Sequence, residues 1–209
     1  MAAHPNDFAV DDDFNRANTG PPAGPLWSSL SFWGDPVGSV VVSNQLQFAG
    51  GGWRTGLLTT GHSRADGPVA NRIMTSGTRS GTTYHFLLTA DTIGGSPSGY
   101  ALASDGGSSL YLQRYASGSN TQLGSTSLAA SSIAGLCLIA DDDTHVTGWT
   151  YDGSTWTKRF DVVDTTYTGV LHRAWDENGG TWRYDDLGGG HPVAGAQTLT
   201  PGFISGQSA

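Results

Sequence analysis

Among the 209 residues there is one cysteine, one lysine and one glutamate, and each scarcity removes a class of function. With Cys137 alone, no intramolecular disulfide forms. Cys137 stands within Ile133-Ala134-Gly135-Leu136-Cys137-Leu138-Ile139, which reads as a buried strand, so it is expected as a small core hydrophobe. Lys158 is the sole lysine, the arginines are scattered and the net charge is -8, so no basic patch exists to neutralise a nucleic-acid backbone. Glu177 is the sole glutamate, and the glutamate pair that many glycosidases place across a sugar bond is missing. The six histidines include no His-x-x-x-His pair, and with one cysteine they lack the ligand spacing of a zinc site. No basic-then-apolar leader follows Met1, and no apolar run is long enough to span a bilayer. The expectation is a chain that folds in a cytoplasm without membrane insertion.

What the chain does have is aromatic surface and turns. Seven Trp, seven Tyr and seven Phe supply a core, and 31 glycines supply reversals, while charged residues make up only 13%. Alternation of apolar and polar residues predicts strands at 39–43, 45–48, 70–76, 84–89, 100–104, 110–115, 136–140, 145–151, 156–162 and 182–187. Asp105-Gly106-Gly107, Gly118-Ser119-Asn120 and Asp152-Gly153 punctuate them as turns. Strands recurring about every ten residues are the pattern of an all-β sandwich of antiparallel sheets. No stretch carries a helical period; residues 129–133 could make one short turn. One domain is expected at 8–190, with an N-terminal arm at 1–7 and a C-terminal arm at 191–209. In that polar tail Phe203 and Ile204 are adjacent and apolar, and are expected to bury against another chain as an assembly contact.

Candidate sites follow from residue chemistry. Exposed Trp and Tyr present flat faces on which sugar rings stack. Trp149, Tyr151 and Trp156 cluster at one predicted hairpin, and Trp53 and Trp175 lie in or beside predicted loops; these five are the glycan-binding candidates. Asp141, Asp142 and Asp143 could supply oxygen ligands to calcium, although a plain hairpin turn accounts for the same run. Gly61-His62-Ser63-Arg64-Ala65 is close to a nucleophile elbow but lacks the last glycine and a following helix, so it reads as a polar loop.

Two segments carry a family resemblance. Asp12-Asp13-Phe14-Asn15-Arg16-Ala17 with Leu26-Trp27 near the start, and Trp182-Arg183-Tyr184-Asp185-Asp186-Leu187 near the end, are short aromatic strands flanked by carboxylates. Together they resemble the opening and closing strands of the concanavalin A-like jelly roll, which lie side by side. The opening segment is similar to the start of laminin-G-like domains in structural proteins of phages that infect high-GC Gram-positive bacteria. The resemblance implies a concanavalin A-like jelly-roll sandwich and a non-enzymatic virion component, a minor tail protein or a head decoration protein. Its partners would be other virion proteins, its own copies and a host-surface glycan. Laminarinase-type enzymes of the same fold carry Glu-x-Asp-x-x-Glu, which is absent here. The alternatives are a free lectin-like carbohydrate-binding module and, third, a glycoside hydrolase or lyase.

Overall fold

The computed structural model describes residues 2–17, 27–28, 39–48, 53–76, 83–89, 96, 98–141, 144–178 and 183–193. Their elements in chain order are β1 (Val10–Asp12), β2 (Trp27–Ser28), β3 (Ser39–Val42), β4 (Gln45–Phe48), β5 (Trp53–Ser63), β6 (Val69–Ser76), β7 (Thr83–Thr89) and β8 (Gly99–Ser104). There follow β9 (Ser109–Ala116), β10 (Ser119–Ser127), β11 (Gly135–Asp141), β12 (His145–Tyr151), β13 (Trp156–Val163), β14 (Val170–Asn178) and β15 (Arg183–Gly190). The helical elements among the described residues are single 3-10 turns, Pro5–Asp7, Arg64–Asp66 and Ala130–Ser132. The last of these falls in the one stretch where the sequence allowed a turn.

Among the described residues every ladder is antiparallel, and two sheets result. The first runs β13-β12-β11-β6-β15-β4-β3, with β1 also on β15; the second runs β10-β9-β8-β7-β14-β5-β2. The expected meeting of chain ends is present: Val10 pairs with Gly188 and Asp12 with Leu187. Alternation sorts the faces. Ile73 of β6, Leu136 and Leu138 of β11, and Val146 of β12 point inward from the first sheet. They meet Tyr100 and Leu102 of β8, Leu110 and Leu112 of β9 and Leu171 of β14 from the second. Each such side chain taken fully out of water contributes about 1.5–3 kcal/mol, so this layer holds the sandwich together.

β11 is buried at all seven positions because both of its faces are covered. Its inner face meets the second sheet. Across its outer face lie residues 2–9, where Ala3 and Phe8 pack with Ala70, Cys137, Ile139 and Trp149. Polar contacts fix that segment. The Ala3 amide donates to Asp141 Oδ2 at 3.0 Å, and Arg72 Nη1 donates to the Pro5 carbonyl at 2.9 Å. The expected N-terminal arm is therefore docked on its own domain. The Val193 amide donates to the Asp7 carbonyl at 2.9 Å, so the chain beyond residue 190 also begins against the domain.

Besides the short β1 and β2, three strands escape the alternation pattern. β5 is interrupted by Gly56 and Gly61, β10 has Leu123 as its one large apolar residue, and β14 carries Arg173, Asp176 and Glu177. Gly61 to Ser63, read as loop, is the end of β5, and residues 64–66 form a 3-10 turn. Arg64, there, is 1% exposed; its guanidinium donates to the carbonyls of Tyr167 at 2.6 Å and Asp141 at 3.1 Å, pinning β5 to the β11–β12 turn. Glu177, read as a loop residue, lies in β14 opposite Arg54.

Candidate functional site

The second sheet presents an uncharged aromatic and amide strip on its outer face. Since Leu110 and Leu112 of β9 point inward, Tyr111, Gln113 and Tyr115 point outward. The Tyr115 hydroxyl donates to Gln113 Oε1 at 3.0 Å, which fixes the amide. On β10, Asn120 stands opposite Tyr115 and Gln122 opposite Gln113, and both are exposed. On β8, Gly99, Ala101 and Ala103 stand opposite Tyr115, Gln113 and Tyr111, so small residues flank the strip on the inner side. Tyr115 and Gln113 are buried and Tyr111 is half-buried. What this face offers at the surface is the half-buried Tyr111 ring and the exposed amides of Asn120 and Gln122, groups suited to a neutral polyhydroxylated ligand. Sequence reading placed Tyr111 and Tyr115 on a strand and stopped there. The available signal was the Tyr-x-Gln-x-Tyr alternation, three like-facing residues on one strand.

The aromatic hairpin is on the other sheet and is built differently. Tyr151 and Trp156 pair across β12 and β13 with ring centroids 5.2 Å apart. Trp149 donates its indole N–H to Thr147 Oγ1 at 2.9 Å, meets His4 edge-on at 5.0 Å, and has Lys158 Nζ 5.7 Å from its ring. These three were expected as an exposed stacking platform. Trp149 is 9% and Tyr151 4% exposed. The N-terminal segment accounts for the first: it folds onto this face and makes Trp149 part of the interior. Trp156 is half-buried. Trp53 opens β5 opposite Asn178, and Trp175 sits in β14 opposite Gly56. The side chains of Trp53 and Trp175 lie outside the described residues.

Asp141, the first of the calcium candidates, is buried with its carboxylate on the Ala3 amide. Asp142 and Asp143 lie outside the described residues, as do Phe203 and Ile204. Among the described residues no group of three His, Cys, Asp or Glu side chains is placed to hold a metal ion.

Two places hold perturbed protons. On β15, burial and the neighbouring Asp186 and Asp13 carboxylates push the Asp185 carboxyl up to about 6, and burial raises Asp186 as well. Asp186 occupies the bulge where β15 slips against β6, with φ of 42°. At the end of β5, burial and the nearby Arg173 guanidinium hold His62 down at about 4. Its ring meets His191 edge-on at 5.2 Å and packs against Gly190, where a Cβ would come within 2.7 Å of the ring. Gly190 has φ of 77°, so side chain and backbone both demand glycine there. Burial lowers His172 on β14, and Arg173 pairs with Asp11 at 2.6 Å.

Two facing antiparallel sheets with first and last strands adjacent define a concanavalin A-like jelly roll. Solved structures share it. Carbohydrate-binding module CBM66 from Bacillus subtilis is similar with a TM-score of 0.55 at 12% identity, over 78% of this chain and 93% of that one. A prokaryotic beta-1,3-1,4-glucanase (lichenase) derived from a mouse hindgut metagenome is similar with a TM-score of 0.55 at 9% identity, over 87% and 98%. The CBM2 module of the evolved Dit of Lactobacillus casei phage J-1 is similar with a TM-score of 0.51 at 13% identity, over 84% and 91%. Identities this low show a common fold. No protein-family model and no curated protein matches the chain.

Proposed function

We propose that this chain is a non-catalytic carbohydrate-binding module of a bacteriophage virion, a minor tail or head decoration protein that attaches the particle to a host-surface glycan. The observation that carries the reading is the uncharged outer face of the second sheet where half-buried Tyr111 shares its side with the exposed amides of Asn120 and Gln122. Likeness to the phage Dit module supports the virion setting, as does the resemblance of the opening segment. Likeness to carbohydrate-binding module CBM66 supports, with equal weight, a lectin-like module outside any particle. The reading carries no cofactor and no catalysis. The proposed tail contact through Phe203 and Ile204 gives the chain its place among its own copies and other virion proteins.

The test combines a glycan array with sedimentation on cell walls of high-GC Gram-positive bacteria. Retention that drops in a Tyr111→Ala, Gln113→Ala variant supports the module; no retention on any wall or glycan removes it. Gold-labelled antibody on purified particles separates the two settings: label on tail or head favours the virion, and unlabelled particles favour the free module. Reducing ends released from β-glucan by the wild type, and lost in Glu177→Gln, would replace the binding reading with a hydrolase.

A further inference from the structure

Near the end of β5 a histidine is turned into the sandwich. His62 stands opposite Leu171 of β14, whose side chain lies in the core, so the imidazole also points between the sheets. The end of β15 and the residues after it close over the ring. Gly190 lies against it, where a Cβ would come within 2.7 Å, and His191 meets it edge-on at 5.2 Å. The His62 Nε2 atom is buried with no hydrogen-bond partner among the described residues. The ionisable groups that face the ring are Arg173 and His172 of β14, His191, and Asp11 beside β15 on β1. Asp11 is the one carboxylate in this set, and its Oδ2 already lies 2.6 Å from Arg173 Nη1. An imidazolium here would hold its Nε2 proton without an acceptor, next to a guanidinium, and both conditions oppose the charge.

The cover over this ring is lightly held. Beyond Gly190 it is tied down, among the described residues, by His191 Nδ1 donating to the Pro68 carbonyl at 3.1 Å and by the Val193 amide donating to the Asp7 carbonyl at 2.9 Å. Pro192 and Val193 are exposed. His62 itself is fixed by the ladder of β5 with β14, so its route to water is removal of what lies over it. We propose that residues 190–193 are an acid-released latch: protonation of His62 lifts them from the end of β5 while both sheets stay formed. With the latch closed, the ring takes up a proton only near pH 4, against an ordinary 6.5. With it open, the ring lies in water and takes up that proton near 6.5. The open form thus binds the proton more readily and is favoured as pH falls. Each pH unit between those values raises the ratio of open to closed up to tenfold, roughly 300-fold in all.

Hydrogen exchange of single backbone amides, followed by NMR on the full chain and corrected for the intrinsic pH dependence of exchange, reads the opening. The Val193 amide reports the latch, and the Leu138 amide in the middle of β11 reports global unfolding. The expected result in the wild type is Val193 protection well below that of Leu138 at every pH and falling roughly 300-fold from pH 6.5 to 4. In His62→Gln that fall should vanish, and in His145→Gln, an exposed histidine of β12, it should persist. Val193 protection equal to that of Leu138 overturns the latch, since the segment would then open only when the whole domain unfolds. Protection that stays level between pH 6.5 and 4 in the wild type overturns it too, as does a fall of the same size in His62→Gln or one lost in His145→Gln.

Discussion

The outer face of the first sheet holds Trp149, Tyr151, Trp156 and the buried Arg72, and the chain folds its own residues 2–9 across it. The outer face of the second sheet holds Tyr111, Gln113 and Tyr115, with exposed Asn120 and Gln122 beside them. The richer aromatic surface has thus been taken into the interior, and the plainer one is the candidate for a ligand. Aromatic density by itself does not separate these uses. Nor does the burial of single rings, since Tyr115 is 3% and Trp149 9% exposed; what separates the faces is the exposed Asn120 and Gln122 beside half-buried Tyr111 on the second sheet, against the chain's own residues 2–9 across the first. The cover over the first face is not perfectly fitted. Arg72 is 1% exposed, and its Nε and Nη2 have no hydrogen-bond partner among the described residues.

The contrast breaks most completely if the cover is removed. Phe8, 2% exposed, anchors residues 2–9, and Phe8→Ala should cost about 3–5 kcal/mol in urea unfolding. Loss below about 1 kcal/mol would mean that the segment rests on the first face without sealing it.

The two sheets should also answer acid with opposite signs. His62 on β5 stays neutral down to about pH 4, against an ordinary 6.5. The unfolded chain takes up this proton between pH 6.5 and 4 and the folded chain does not, so stability falls as pH drops through that window. Asp185 on β15 keeps its proton up to about pH 6, whereas the unfolded carboxyl loses it near 3.8. Stability from this group therefore falls as pH rises from 3.8 to 6 and stays lost above. Asp185→Asn should stabilise the protein by about 1–2 kcal/mol at pH 7 and leave it unchanged at pH 3. His62→Gln should flatten the loss between pH 6.5 and 4 by a similar amount. Melting curves across that range check both, and equal slopes in variant and wild type would reject the assignment.

At the ligand face, Tyr111→Ala should weaken glycan retention about tenfold, near 1.4 kcal/mol, while Trp156→Ala on the other sheet leaves it unchanged. The reverse outcome would return the site to the aromatic hairpin. The smallest effect is expected at Thr147→Val, which strands the Trp149 indole N–H and should cost about 1 kcal/mol by chemical denaturation, with no change in binding.

Strands were legible in the sequence where one face is apolar and the other polar. β9 and β13 meet that condition, and the Asp152-Gly153 turn marks the β12–β13 hairpin, with Asp152 accepting the Ser154 and Thr155 amides. β10 was not legible because an edge strand has little to bury, and β14 was not because its charges interrupt the pattern. The site was half legible. Aromatic identity pointed to the β12–β13 hairpin, but what covers a face depends on a segment more than a hundred residues away, as with Ala3 and Asp141. No local pattern encodes such a contact.

The pairing of β1 with β15 sets the order in which this chain can be completed during synthesis. Val10 leaves the ribosome 178 residues before its partner Gly188. At about 5–20 residues per second, the first strand waits on the order of ten seconds or more for its place in the sheet. Through that interval the ladder positions of β15 are empty, and β6 is an open edge on that side. An edge left open for seconds in a crowded cell invites pairing with a neighbouring chain. The three glycines at 188–190 stand where Ala9, Ala70 and His62 in turn approach too closely for a side chain to enter without a shift, so the seating of β15 is a close fit that a single added methyl would obstruct.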